Sequence, residues 1–503
     1  MNTKRIFSAL LAALMLSSTA LVACSDGGEQ QGEDTTASAD TTVADTTTVA
    51  ETVDPRFEDE LPTDKKFDGR NFTIHTKLMD DAAVAWKVVD IAAEAENGER
   101  INDAVFKRNL EMAERFDVKI VMYALDKNPH TSAQTAIAAG DETFDILSTN
   151  IHQQSTLIAN GYLMNVANAP YLNFEKGWWD TDTIKAINVM DRVYLMGGSA
   201  QLNSLRSTWG MFFNKRIVAD AQLPDLYQTV RDGKWTLDLL KQYGKKVAKD
   251  VNGDGVYEYG VDTYGIGLQW EVVNPLVLST GAKALEVSKD GAVTVKIDSP
   301  EFVDAMEKVY NFLNVDNAFI TNTDTRTETD KWVQMRNRFM EGQIVFYMGH
   351  LSTPVLIPDM KDDFGILPMP KVNADDEYAS SFQYNNYDVI SVPRIASNLE
   401  RTALLTEAYT MMSYDTVREA WYDYTLTLRS ARDNESGEML DIIFGARGVD
   451  IGLVFNSSYK LQTTLQDGMK ATSFSWASMA ASEKATMKTA IEKVIENIKK
   501  NDP

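Results

Sequence analysis

Residues 207–217 read STWGMFFNKRI, and the fold turns on how that stretch is read. Met211-Phe212-Phe213-Asn214-Lys215 is an apolar, aromatic-rich strand, and a second α/β unit begins near Ser204. On its N-terminal side, Asn71-Phe72-Thr73-Ile74-His75 alternates as a strand does. Residues 99–116 then set Ile101, Ala104, Val105, Met112 and Phe116 on one helical face, and Val118-Lys119-Ile120-Val121-Met122 is a further strand. A β-α-β start of this kind indicates an α/β fold, a sheet with helices packed on it. The rhythm continues with a short helix near 132–139, a buried strand at 144–147, and a helix over 153–160 closed by Gly161. Ligands of such sheets sit beyond the carboxyl ends of the strands. Ser148-Thr149-Asn150-Ile151-His152 is therefore a candidate binding loop.

Closer to the opening stretch, 192–196 reads as a strand before Gly197-Gly198-Ser199. Beyond it, 236–247 is helical with Thr236 as N-cap, 343–348 is a strand running into Gly349-His350, and 388–392 is a strand ending at Pro393. Residues 482–500 form an amphipathic helix with Met487, Ile491, Val494 and Ile498 as its stripe. No internal repeat of fixed period is present.

The chain has 503 residues, 44% hydrophobic and 24% charged, enough for one large or two to three ordinary domains. Its first residues, MNTKRIFSALLAALMLSSTALVAC, have a basic head, a short apolar run and small residues before Cys24. That is the pattern of an export signal over 1–23; a membrane span would be longer and unbroken by Ser17, Ser18 and Thr19. Cys24 is the one cysteine, so no internal disulfide and no Cys-based metal cluster can form. Residues 25–53 are rich in Thr, Ala, Asp, Glu and Gly and nearly free of large apolar side chains, the composition of a disordered tether. The domain reading assigns 24–65 to the modified cysteine and that tether.

A net charge of −24 argues against nucleic-acid partners and against docking on anionic lipid. The four histidines, His75, His130, His152 and His350, include no two at metal-ligand spacing. Neither a G-x-S-x-G elbow nor a Walker-type phosphate loop occurs. With 73 acidic residues, a paired-carboxylate glycosidase stays open at this level.

Leu21-Val22-Ala23-Cys24 resembles the lipobox of bacterial lipoproteins, which implies lipidation of Cys24 and an extracytoplasmic location at the cell membrane. The order of the larger pieces is similar to the extracellular solute-binding proteins of ABC importers, family 1, the group that includes maltose-binding protein. Those pieces are FDILSTNIHQQSTLIANGYLMNV, RVYLMGG with STWGMFFNKRI, VRDGKWTLDLL, FMEGQIVFYMGH and FGILPMPKVN. The segment ARDNESGEMLDIIFGARGVDIG looks like an uncharacterised clostridial-type branch. The resemblance implies a two-lobed, periplasmic-binding-protein-like type II fold whose hinge has two to three crossing segments. Lobe 1 would take 66–200 plus 350–392, and lobe 2 would take 201–349 plus 393–503. It further implies a monomeric, non-enzymatic receptor that holds a small solute, most readily a carbohydrate or oligosaccharide, between the lobes and delivers it to ABC permease subunits. A surface-anchored glycan hydrolase and a calcium-braced adhesion module are the alternatives.

Sugar recognition needs aromatic faces and a few planar polar groups. On position within that resemblance the candidates are Asn150, His152 and Gln153; Arg206 and Trp209; Gln269, Trp270 and Glu271; His350 and Ser352; and Tyr384, Asn385, Asn386 and Tyr387. Trp476 is expected as an anchor for the last helix, and Trp178-Trp179 as packing. Thr353-Pro354-Val355 stands where some sugar binders carry a tryptophan, a departure from a maltodextrin-like site.

KDVNGDGVYEYGVD, residues 249–262, is similar to an EF-hand loop. Asp250, Asn252, Asp254, Val256 and Glu258 occupy positions 1, 3, 5, 7 and 9, but position 12 is Val261, with Asp262 one residue late. The expectation is a structural Ca2+ held with Asp262 as closing ligand, set against an empty Asp/Asn/Gly turn stabilised by its own hydrogen bonds. No organic cofactor is expected.

Overall fold

A computed structural model describes residues 54–78, 84–258, 260–314, 319–321, 331–427 and 434–502. The export signal, Cys24 and residues 25–53 lie outside them. Two sheets organise the described chain, which from Val53 onward is one compact unit. The first sheet has the order β11-β3-β1-β2, from β1 (Arg70–Thr76), β2 (Val118–Ala124), β3 (Ile146–Asn150) and β11 (Asp388–Ser391). Its first three strands are parallel and β11 is antiparallel to β3. The second has the order β10-β4-β9-β5-β8, from β4 (Trp209–Asn214), β5 (Tyr264–Leu268), β8 (Phe319–Thr321), β9 (Ile344–His350) and β10 (Phe364–Leu367). A small hairpin pairs β6 (Leu285–Val287) with β7 (Val293–Val295). The opening stretch is thus the buried second strand of the second sheet.

The local reasons are legible. Phe72 and Ile74 of β1 face the same core as Met112 and Phe116 of the helix Arg100–Phe116. Thr236 caps the helix Leu237–Val247 by accepting from the Leu239 N–H. Gly265 lets that helix lie directly on β5, since a Cβ there would meet the Gly244 carbonyl oxygen at 2.2 Å. Trp235 donates from Nε1 to the Pro368 carbonyl at 3.0 Å, joining the WTLDLL and FGILPMP pieces. Trp476 donates to the Ile297 carbonyl at 2.8 Å and anchors the last helix, Trp476–Asn501.

The chain passes between the sheets three times. The first passage is 202–209; the second, 380–388, runs from β10 back to β11. The third is a single π-helical turn, Tyr414–Arg418, linking the helix Leu399–Ser413 on the first sheet to the helix Glu419–Thr427 on the second. Such insertions recur where a long helix must bend or shift register. This corrects the expected lobe boundaries in two places. Residues 350–367 stay with the second sheet, because β9 turns through Thr353–Leu356 straight into β10. The helix Leu399–Ser413 belongs to the first, where Leu404, Leu405 and Ala408 enter the core of Phe72 and Ile390.

Two smaller expectations also change. Residues 54–65 are docked: Asp59 pairs with Arg115, Lys176 donates to the carbonyls of Pro55 and Glu58, and the Phe57 ring lies over Gly177, where no Cβ would fit. Residues 192–196 make only one bridge, Met196 to Ile390, and do not extend the sheet. Among the described residues no helix is long and apolar enough to cross a membrane.

Glu407, buried at 1% exposure, accepts from the indole N–H groups of Trp178 (2.8 Å) and Trp179 (2.9 Å), so the tryptophan pair is packing tied to one carboxyl. Glu407→Leu leaves both indoles without an acceptor and is expected to lower unfolding free energy by about 2–4 kcal/mol in urea titration. An unchanged midpoint would show that the indoles find other partners.

Candidate functional site

A cavity of about 280 Å³ lies between the two sheets. From the first-sheet side, Ala85 and Trp86 come from the connection after β1, and Gln383, Asn385 and Asn386 from the segment entering β11. From the second-sheet side, Gln269 and Glu271 follow β5, Tyr347 and His350 lie on β9, Arg336 on the helix Lys331–Met340, and Ser352, Thr353 and Leu356 just beyond β9. The carboxyl ends of β1, β5 and β9 therefore supply much of the wall, as the general rule for α/β sheets expects.

Three backbone segments form the floor. Arg206 and Thr208 accept at their carbonyls from Ser352 N–H (3.0 Å) and Leu351 N–H (2.9 Å), Ser207 accepts from Gln383 N–H (2.8 Å), and Trp209 N–H donates to Ser381 (2.9 Å). Side chains of the same passage hold the Trp86 connection. The Asn203 amide donates to the Trp86 carbonyl (3.3 Å) and to Asp388 (2.8 Å), Leu202 N–H donates to Asp90 (2.6 Å), and Arg206 donates to the Lys87 carbonyl (3.3 Å).

His350 stands at the centre of the aromatic contacts, 4.1 Å from the Trp209 ring and 5.5 Å, edge on, from Trp86. Burial pushes its pKa down to about 3, so the imidazole is neutral, and its Nε2 meets no hydrogen-bond partner among the described residues. His152 does not reach the cavity, yet it orders a residue that does. Its Nε2 lies 2.8 Å from the Leu453 carbonyl and its Nδ1 2.7 Å from the side-chain amide of Asn385. A carbonyl only accepts, and burial holds this imidazole neutral, so Nε2 carries the proton and Nδ1 accepts. Asn385 must then turn its NH2 to His152 and present its oxygen to the cavity.

Of the expected ligand-binding residues, Gln269, Glu271, His350, Ser352, Asn385 and Asn386 line the cavity together. The others do not. Asn150 ends β3 and caps the following helix through the Gln153 N–H, and Gln153 accepts from Thr149, so the expected loop at 148–152 is strand and helix start. Arg206 and Trp209 are buried in the passage between the sheets, Trp270 and Tyr384 are core, and Tyr387 donates to Asp180 at 3.2 Å. Trp86, Arg336, Tyr347 and Gln383 went unread. None sits in a pattern of its own, and each reaches the wall through its place in the fold.

The 249–262 loop stands apart from the cavity and is braced by its own side chains. Asp250 accepts from the N–H groups of Gly253 (2.7 Å) and Gly255 (2.8 Å), Asp254 from Val256 (2.7 Å), and buried Asp262 from Val251 and Glu258 (2.7 Å each). Among the described residues no three acidic, imidazole or thiol side chains are grouped to hold a metal.

The arrangement of sheets, passages and cavity has known counterparts. UspC of M. tuberculosis superposes with a TM-score of 0.54 at 14% identity, over 83% of this chain and 100% of that one. A sugar transporter protein from Rhizobium etli, in an open conformation, gives 0.54 at 14% over 85% and 99%. An ABC substrate-binding protein from Listeria monocytogenes in complex with cycloalternan gives 0.52 at 14% over 86% and 99%. This is the two-lobed fold of ABC solute-binding proteins. No family model and no curated protein matches the sequence, so the solute-binding-protein likeness is one of fold. In its terms the cavity lies between the lobes, and the three passages are the hinge.

The neutral His350 makes a pH prediction. Its folded pKa lies below the ordinary 6.5, so the unfolded chain binds the proton more readily, and stability is lost as pH falls through about 6.5. Up to about 2 kcal/mol goes between pH 7 and 5 on this account. His350→Gln, which cannot titrate, is expected to show a correspondingly smaller loss in urea unfolding at the two pH values; equal losses would contradict the assignment.

Proposed function

We propose that the chain is an extracytoplasmic solute receptor of an ABC importer, held to the cell membrane by lipid on Cys24, that binds a saccharide in the interlobe cavity and presents it to the permease. The observation that carries the reading is the chemistry of the wall. One indole, Trp86, stands among planar amides and hydroxyls: Gln269, Gln383, Asn385, Asn386, Ser352 and Thr353. An aromatic face covers the C–H side of a pyranose ring, while amides and hydroxyls satisfy its hydroxyl groups in directions they fix. A cavity of about 280 Å³ suits one or two sugar rings enclosed. The cycloalternan complex of the similar Listeria protein supports the same class of ligand.

A hydrolase would set two carboxyl groups about 5–10 Å apart across the scissile bond. Among the described lining residues Glu271 is the one carboxyl, which favours a receptor.

Calorimetric titration of the purified protein with a saccharide panel tests the reading. At least one saccharide is expected to bind at micromolar level without being cleaved. Trp86→Ala is expected to weaken it about 10- to 100-fold with little change in melting temperature. Product formation, or binding indifferent to Trp86, would overturn it. A calcium ion at 249–262 is a separate proposal, resting on residue order alone. A melting midpoint several degrees higher in calcium than in chelator supports it, and equal midpoints refute it.

A further inference from the structure

Arg336 gives the cavity a polarity that a neutral sugar does not use. It lies on the helix Lys331–Met340 and lines the wall. Its Nε is buried with no hydrogen-bond acceptor, and none of the ion pairs among the described residues involves it. Arg447, Arg401 and Arg108, whose guanidiniums are more deeply placed, are engaged at their terminal nitrogens: Arg447 with Asp180 at 2.6 Å, Arg401 with Asp145 at 2.6 Å, and Arg108 with the Ile91 carbonyl at 3.0 Å. Glu271 is the carboxyl on the same wall. The neighbouring imidazole, His350, is neutral and supplies no competing cation. A half-buried guanidinium at a cavity wall is matched when a planar carboxylate or a similar anion meets it with two parallel hydrogen bonds.

We propose that the saccharide carries a carboxylate, a uronate-type acid, and that Arg336 is the residue that selects it. The inference rests on the saccharide-receptor reading and narrows it. Trp86 and the amides take the ring and its hydroxyls, and Arg336 takes the acid group. Because the chain carries a net charge of −24, an acidic ligand gains nothing from the protein's long-range field. Selection has to come from this one local contact.

The experiment compares uronate oligosaccharides with their methyl esters, which keep the ring and remove the charge. Tri-galacturonate and a glucuronate disaccharide, each as acid and as methyl ester, are titrated calorimetrically beside neutral di- and trisaccharides. An acid is expected to bind at least about 30-fold more tightly than its ester, the range of a charge-assisted pair of hydrogen bonds. In Arg336→Gln that ratio is expected to fall to near one with ester affinity unchanged, and Arg336→Lys keeps part of it. Since the Arg336 Nε has no acceptor and the side chain no ion pair among the described residues, the ligand-free melting temperature of Arg336→Gln is expected to be unchanged or higher. A structural role would lower it. Equal binding of acid and ester, or binding of neutral sugars alone, overturns the acidic specificity and leaves the receptor reading standing. Binding of no saccharide at all overturns both.

Discussion

The buried pair Lys77–Asp388, 3.1 Å apart with each side chain 5% exposed, is the contact on which the rest of the architecture depends. Lys77 follows β1, and Asp388 opens β11 where the chain returns from the second sheet. The second carboxylate oxygen takes the Asn203 amide of the outgoing passage, and that same amide reaches the Trp86 carbonyl. One carboxylate therefore ties together the outgoing passage, the returning passage and the connection that carries the cavity's indole. Such a pair adds little net stability over an apolar packing, but removing one partner costs about 3–5 kcal/mol. Its effect is to fix one relative placement of these three segments.

Function follows from that placement by a short chain of causes. The passages exchange backbone hydrogen bonds and bring His350, Gln383 and Asn386 to one wall, and Trp86 arrives on the connection they hold. Burial keeps both His152 and His350 neutral. The first thereby orients the Asn385 amide, and the second leaves the cavity without a titrating cation near pH 7. What results is a set of directional, mostly uncharged groups around one aromatic ring, with Glu271 and Arg336 as its charged members.

Much of the fold was readable where one face of an element is wet. The helix Arg100–Phe116 and the last helix showed their stripes, Thr236 announced its cap, and β1 alternated over 71–75. The helix Leu399–Ser413 gave no such signal because it is buried nearly all round, and a helix without a solvent face has no period to read. Residues 54–65 follow a disordered-type composition, yet Phe57 and the Arg115 and Lys176 partners dock them. The site divided in the same way. Gln269, Glu271, His350, Ser352, Asn385 and Asn386 were found from their position within the family resemblance. Trp86 and Arg336 were not, because only the three-dimensional return of the chain brings the connection after β1 opposite the helix Lys331–Met340. Trp209, Trp270, Tyr384 and Tyr387 illustrate the converse: aromatics near a cleft in sequence are core unless the backbone turns them outward.

The most direct test is a crystal structure of the protein with a saccharide it binds in solution. The account requires the sugar between the two lobes, one ring against the Trp86 indole and its hydroxyl groups on Gln383, Asn385, Asn386 and Gln269. A sugar bound elsewhere, with this cavity still empty and Trp86 untouched, would contradict it.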